Sequence, residues 1–124
     1  MDWTFLVLMA MYLMHFLEEV YLRRMIGHLL GMDATDPNDP HLRLHWGVVQ
    51  QMHAILWGVA IYLPILIVSK WSVRAEVWTV LFIAVFIHMY IDWKMHNGKM
   101  DVHTDSVAHA LMVMMVWLTW TFYL

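Results

Sequence analysis

Apolar residues dominate four stretches of the chain, and short polar connections separate them. The stretches cover residues 3–17, 46–69, 77–91 and 106–124. A helix needs about 20 residues to cross the hydrocarbon core of a bilayer, and each stretch approaches that length. Short connections force neighbouring helices to alternate in direction. The pattern therefore predicts an all-α, four-helix transmembrane bundle in up-down-up-down order, with residues 1–124 forming a single transmembrane helical domain.

Turn and capping residues mark the connections between these stretches. The first connection, MDATDPNDPHLRLH, is rich in Asp, Asn and Pro, and Asp39-Pro40 is typical of a cap followed by proline in the first helical turn. The first helix is expected to continue beyond its apolar stretch toward Gly31. Asn97-Gly98 is expected to form the third connection.

Composition agrees with a membrane location. Hydrophobic residues make up 62% of the 124 residues and charged residues only 14%, which is far from the average of soluble domains. The net charge of −3, with neutral histidines, argues against a nucleic-acid partner, because phosphate binding needs a basic surface. The chain has no cysteine, so disulfides and thiolate metal sites are excluded.

Lysine and arginine are distributed unevenly among the connections. The second connection contains Lys70 and Arg74. The other five basic residues belong to the first and third connections: Arg23, Arg24, Arg43, Lys94 and Lys99. Because cytoplasmic loops carry an excess of Lys and Arg, connections one and three are expected in the cytoplasm and both termini outside.

All nine histidines lie on the side of the predicted bundle that carries connections one and three. Four of them, His15, His53, His88 and His109, fall inside apolar stretches. An ionisable group at such depth is expensive, so it usually faces the bundle interior, has a partner and marks a functional site.

Carboxylates accompany three of these histidines at a separation of four residues, which places both side chains on one helix face. A chain that folds back near residues 98 and 99 would also bring residue 88 level with 109, and residue 92 level with 105. The predicted site therefore comprises His15, Glu19, His53, His88, Asp92, Asp105 and His109. Glu18 would replace Glu19 if the first helix were rotated, and His96 and Asp101 either extend the site or are solvated at the turn.

Neutral imidazoles and carboxylates are the ligands of zinc, manganese or iron. Helical bundles that hold two metal ions use inward carboxylates and histidines three or four residues apart. The same seven groups could instead hold one ion, with some carboxylates orienting the imidazoles from outside. A divalent metal, as one ion or two, is the predicted cofactor, and a hydrogen-bonded packing cluster without metal is the alternative.

Four motifs carry a resemblance to a known family. HFLEE at 15–19, QMHAILWG at 51–58, HMYIDWKM at 88–95 and DSVAHALMVMMVW at 105–117 resemble, in order, the helical blocks of domain of unknown function 3307. That family consists of small bacterial and phage membrane proteins, and the likeness covers nearly the whole chain except connections one and two. Glu19 stands where the family usually has Asp. The resemblance implies a metal site and a bacterial inner membrane, and some related membrane proteins are labelled metal-dependent hydrolases.

Three classes of function are compatible with this pattern. The first is a metal-dependent hydrolase that acts on a lipid or a lipid-linked phosphate ester, with Asp92 or Asp105 accepting a proton from water. The second is a metal-ion or proton carrier or channel. The third is a non-catalytic membrane subunit whose polar cluster holds the helices together. Membrane lipid is the expected partner in the first class.

Overall fold

The computed structural model describes residues 2–29 and 40–124, and every regular element in these two ranges is helical. A π-helical turn, Glu18–Leu22, connects the first two α-helices without a break. The α-helices are α1 (Trp3–Leu17), α2 (Arg23–Leu29), α3 (Pro40–Val68), α4 (Ala75–His96) and α5 (Val102–Phe122). The predicted all-α class is confirmed for the described residues.

Four helical segments are long and apolar enough to cross a membrane: Trp3–Leu29, Gln51–Val68, Ala75–Met95 and Val102–Phe122. Large apolar side chains cover their outer surface, and Phe16, Phe86 and Leu118 are each more than half exposed. A soluble monomer rarely exposes so much apolar surface, whereas lipid covers it in a membrane. The structure therefore supports an integral membrane protein.

The helices extend beyond the apolar stretches that predicted them. Helix α4 continues to His96 and α5 begins at Val102, so the third connection is shorter than the polar sequence indicates. Helix α3 already begins at Pro40, as expected for a proline in a first turn. The predicted cap, Asp39, and the predicted first-helix end, Gly31, lie outside the described residues. Polar residues continue these helices because their backbone bonds do not depend on an apolar side chain.

A tight turn connects α4 to α5. Gly98 has a φ of +67°, a left-handed conformation that glycine adopts without strain. Asp101 then caps α5, because its Oδ1 accepts a hydrogen bond from the backbone N–H of Thr104 at 2.6 Å. This bond holds the pKa of the exposed Asp101 carboxyl below its ordinary value. Asp101 thus begins a helix and lies outside the buried cluster.

Tryptophans bring helix ends together at the other end of the bundle. The rings of Trp3 and Trp120 meet edge to face, with centroids 5.6 Å apart. Trp117 donates its indole N–H to the Thr4 carbonyl at 2.7 Å, and Trp120 donates to Ser69 Oγ at 3.1 Å. The start of α1, the end of α3 and the end of α5 therefore lie at the same level.

Helices α3 and α4 approach closely beside the polar cluster. A Cβ atom added to Gly58 would lie 2.5 Å from Cγ2 of Val85, so a larger side chain would push the two helices apart. Gly58 lies five residues after His53, and Val85 lies three before His88. The close approach of the two helices therefore lies within two turns of these histidines.

Candidate metal centre

Ionisable side chains from all four spans meet inside the bundle. Glu18 and Glu19 come from the π-helical turn, His53 from α3, and the rest from α4 and α5. Five of these side chains are at most 8% exposed: Glu18, His53, His88, Asp92 and His109. Buried charge on this scale is expensive unless it is paired or bound to metal.

Three ligand atoms form a compact triangle at the centre of the cluster. His53 Nε2 lies 3.0 Å from His88 Nε2 and 3.4 Å from Asp92 Oδ2. His88 Nε2 lies 3.0 Å from the same Asp92 oxygen. A metal ion with bonds of about 2.1 Å separates neighbouring ligand atoms by roughly 3.0 to 3.5 Å. The triangle thus has the dimensions of one face of a metal coordination sphere.

Further ligand atoms continue this triangle toward α5. Glu19 Oε1 lies 3.4 Å from His53 Nε2 and 3.7 Å from His109 Nε2. Asp92 Oδ1 lies 3.9 Å from His109 Nε2. Four overlapping sets of three side chains bring ligand atoms within 4.8 Å of one another: Glu18–Glu19–His53, His53–His88–Asp92, Glu19–His88–His109 and Asp92–Asp105–His109. Each set has the composition of a transition-metal site.

In His53 and His109, hydrogen bonds hold the second ring nitrogen, Nδ1. His53 Nδ1 lies 2.6 Å from Glu18 Oε1. His109 Nδ1 donates to the backbone carbonyl of Asp105 at 2.7 Å, and the carboxylate Oδ1 of the same residue is 3.4 Å away. A carbonyl oxygen can only accept, so the proton of a neutral His109 is on Nδ1 and its Nε2 has a lone pair. Metal-binding histidines are oriented in this way.

The Nε2 atom of His109 is itself buried, and it has no hydrogen-bond partner among the described residues. A buried acceptor without a partner is costly. A cation placed between this lone pair and the carboxylate oxygens of Glu19 and Asp92 would remove that cost. The donor set therefore fits a divalent metal ion.

His15 is held differently from the other predicted ligands. Trp57 donates its indole N–H to His15 Nδ1 at 2.8 Å. Because indole is only a donor, Nδ1 accepts, and the proton of a neutral His15 is on Nε2. The His15 ring lies 5.6 Å from the His109 ring, between centroids, but His15 belongs to none of the four ligand sets found among the described residues. Its geometry favours a hydrogen-bond donor beside the site, and its role as a ligand stays a prediction.

The π-helical turn explains why Glu18 joins the site. If the α-helix stayed regular beyond His15, a spacing of four residues would place Glu19 on the same helix face, and Glu19 was predicted as the ligand for that reason. The helix widens at Glu18, and the two adjacent glutamates both reach His53. Single π-helical turns are frequently found at functional sites. In the sequence, the participation of both residues is indicated by two neighbouring glutamates within an apolar span.

The remaining polar residues divide between the cluster and the surface. The rings of His88 and His109, expected to be level, have centroids 4.4 Å apart. Asp92 and Asp105 share a ligand set with His109. His28 and His103 are exposed. The side chains of His41, His45 and His96 lie outside the described residues.

The fold and the cluster together define an all-helical membrane protein with a buried histidine and carboxylate site that could hold a metal ion. No protein-family model, curated protein or solved structure gives a significant match to the chain. The resemblance to domain of unknown function 3307 therefore stays a prediction that depends on the four motifs.

Proposed function

We propose that the protein is a membrane-embedded, metal-dependent hydrolase acting on a lipid or a lipid-linked phosphate ester. The observation that carries this proposal is the convergence of the Nε2 atoms of His53 and His88 with Asp92 Oδ2, at separations of 3.0 to 3.4 Å. Two imidazoles and a carboxylate are a donor set that a divalent ion binds, and these separations match those between neighbouring ligands of one ion.

The proposed arrangement in the membrane is up-down-up-down, with the site near the cytoplasmic side. The contacts of Trp3 with Trp120, and of Trp120 with Ser69, support antiparallel neighbours. The excess of Lys and Arg in connections one and three supports a cytoplasmic position for the end of the bundle nearer the cluster. A bacterial inner membrane is the proposed location, in line with the family resemblance.

The depth of the cluster suits a lipid headgroup. Asp92 and His88 lie four and eight residues before the end of α4 at His96. At about 1.5 Å per residue, this places them roughly 6 to 12 Å from that end. The side chains of Glu19 and Asp105 are 25% and 23% exposed, so the cluster opens at its edge. A phosphate ester could reach the site while its acyl chains remain in lipid.

In the proposed hydrolase, different side chains would orient the ligands and accept the proton. A bound divalent ion would lower the pKa of water toward 7 and polarise the ester. Glu18 and Asp105 keep the rings of His53 and His109 in place, and buried Asp92 contacts both His53 and His88. Asp92 and Asp105 are the candidate proton acceptors. The partial exposure of Asp105 favours its carboxylate, which can both receive a proton and release it to solvent.

A carrier or channel function is less well supported. Between the cluster and the second connection, the described core consists largely of buried apolar residues: Met11, Trp57, Ile61, Ile65, Val113 and Val116. An ion or proton crossing the bilayer needs polar groups along its path. The apolar core favours a closed site that is reached from one side only.

Metal analysis and a turnover assay test the proposal together. The purified protein in detergent should contain zinc, manganese or iron by mass spectrometry, and it should release phosphate or headgroup from a panel of lipid phosphate esters. A chelator should abolish turnover, and returning the metal should restore it. His88→Ala and Asp92→Asn should remove the activity while the helical circular dichroism spectrum is unchanged.

His103→Ala is the matched control, because His103 is an exposed histidine on α5. This variant should keep both metal and turnover. Wild-type protein that binds no metal would refute the metal centre. Metal-loaded protein without turnover on any lipid ester would refute the hydrolase and leave a metal-binding membrane protein.

A further inference from the structure

The two carboxylate oxygens of Asp92 face different histidines. Oδ2 lies 3.0 Å from His88 Nε2 and 3.4 Å from His53 Nε2, whereas Oδ1 lies 3.9 Å from His109 Nε2. Asp92 therefore contacts the ligand atoms on α3 and α4 with one oxygen and the ligand atom on α5 with the other. A carboxylate whose two oxygens face different nitrogen ligands has the arrangement of a bridge between two metal ions.

We propose that the site holds two divalent ions bridged by Asp92, an inference that rests on the metal centre proposed above. The first ion is held by His53, His88 and Asp92 Oδ2. The second lies at His109 Nε2, which Glu19 Oε1 and Asp92 Oδ1 approach to 3.7 and 3.9 Å. Glu19 Oε1, which lies 3.4 Å from His53 Nε2 and 3.7 Å from His109 Nε2, is placed between the two positions.

The grouping of the ligand atoms supports a division into two positions. His53 and His109 occur in different sets among the four, and the sets that contain them share Glu19, His88 and Asp92. An imidazole Nε2 has one lone pair and serves one ion, whereas a carboxylate has two oxygens and can serve two. Of the shared residues, only the carboxylates can bridge.

The second position follows from the environment of His109. Its Nδ1 donates to the Asp105 carbonyl, so Nε2 of the neutral ring has a lone pair, and Glu19 Oε1 and Asp92 Oδ1 lie 3.7 and 3.9 Å from that atom. These distances are too long for hydrogen bonds. The lone pair and each of the two carboxylate oxygens repel one another, and a cation beside Nε2 turns this repulsion into attraction.

A single ion on His53 and His88 would leave this lone pair buried without a partner among the described residues. The carboxylate of Asp105 lies beside the other ring nitrogen of His109, with Oδ1 3.4 Å from Nδ1. Asp105 is the candidate proton acceptor of the proposed hydrolysis.

A site with two ions favours phosphate esters over other lipid esters as the substrate of the proposed hydrolase. Centres with two ions about 3.5 to 4 Å apart stabilise both the attacking and the leaving oxygen of an in-line displacement at phosphorus. Among lipid esters, a phosphate ester is therefore the substrate that this arrangement fits, and its non-bridging oxygens would take the positions between Glu19 and Asp105 at the open edge.

Manganese loading tests the number of ions and the bridge without depending on turnover. The full chain in detergent is stripped with a chelator, loaded with Mn²⁺ and desalted. Its metal content is then measured by mass spectrometry and its electron paramagnetic resonance spectrum recorded. We expect two Mn²⁺ per chain and the signal of an exchange-coupled pair, whose hyperfine spacing is half that of an isolated ion.

Two variants separate the positions. His109→Ala should lower the content from two ions to one and give the spectrum of isolated Mn²⁺, because the first position keeps its three ligands. Asp92→Asn should abolish the coupled signal. His103→Ala should keep two coupled ions. Since the wild-type protein is measured first, its ion count decides the proposal even if a variant fails to fold.

The outcomes also distinguish this inference from the function on which it rests. One uncoupled ion in the wild-type protein, unchanged in His109→Ala, would overturn the two-ion centre and leave a single-metal site. The absence of any bound Mn²⁺, zinc or iron would overturn both.

Discussion

The contact between Glu18 and His53 gives the most direct test of how the site is built. Glu18 is fully buried, and its Oε1 lies 2.6 Å from His53 Nδ1. A hydrogen bond to an ionised group is roughly twice as strong as a neutral one. In the neutral ring it also fixes the proton on Nδ1, so that the lone pair of Nε2 is left for a metal ion beside His88 and Asp92.

Removing such an orienting partner typically weakens metal binding about 10- to 100-fold, which is roughly 1.4 to 2.8 kcal/mol. Glu18→Gln keeps a carbonyl oxygen that can still accept from Nδ1, so it should lie near the lower limit. Glu18→Ala removes the acceptor and leaves a cavity, so it should lie near the upper limit. The direct ligand variant His88→Ala should lose at least as much affinity as Glu18→Ala.

Competition with a metal-sensitive chelating dye measures these affinities in the detergent-solubilised protein. Glu76→Gln is the control, because this glutamate pairs with Arg74 at the exposed start of α4. It makes the same change of charge away from the site, and its affinity should equal that of the wild-type protein. Wild-type metal affinity in Glu18→Ala would show that Glu18 does not orient His53. Hydrogen bonds to Nδ1 would then not prepare these histidines for metal binding.

Three further predictions concern the surroundings of the site. His15→Ala should keep the wild-type metal content by mass spectrometry, since His15 Nδ1 accepts from Trp57 and the ring is outside the ligand sets; a loss of metal would make it a ligand. Gly58→Ala should lower the thermal midpoint in detergent, because its Cβ would meet Val85 at 2.5 Å; an unchanged midpoint would contradict the close helix contact. Asp101→Ala should speed amide exchange in the first turn of α5. Since the pKa of Asp101 is lowered in the folded protein, the cap stabilises this turn above the ordinary carboxyl pKa and should stop doing so as acid protonates Asp101. An exchange rate that changes neither in Asp101→Ala nor in acid would exclude the cap.

The spacing of polar residues predicted much of this arrangement because helix geometry is regular over most of the chain. A separation of four residues placed Asp92 beside His88 and Asp105 beside His109, and the contacts at 3.0 and 3.4 Å follow from that geometry. The turn at Gly98 then brought α4 and α5 together in the expected register. Apolar stretches identified the spans because lipid imposes their length.

The spacing of polar residues does not predict local departures from regular helix geometry. The π-helical turn at Glu18 brings two adjacent glutamates to the same histidine, and no periodic pattern distinguishes that turn from a continuing α-helix. The proton position on His15 depends on Trp57, which is 42 residues away in the chain. Such contacts depend on how α1 and α3 pack, which the sequence of either helix does not determine separately.

Trp57 connects the packing of the bundle to the chemistry of the site. Its ring is fully buried and lies 4.4 Å from the His88 ring, between centroids, while its N–H holds His15. A residue that contacts one predicted ligand by its ring and another by its N–H closes the apolar side of the cluster. In the proposed hydrolase, water and substrate would approach from the edge where Glu19 and Asp105 are partly exposed. The low-dielectric side would strengthen the attraction between the carboxylates and a bound cation, and the open side would supply the water that the proposed hydrolysis consumes.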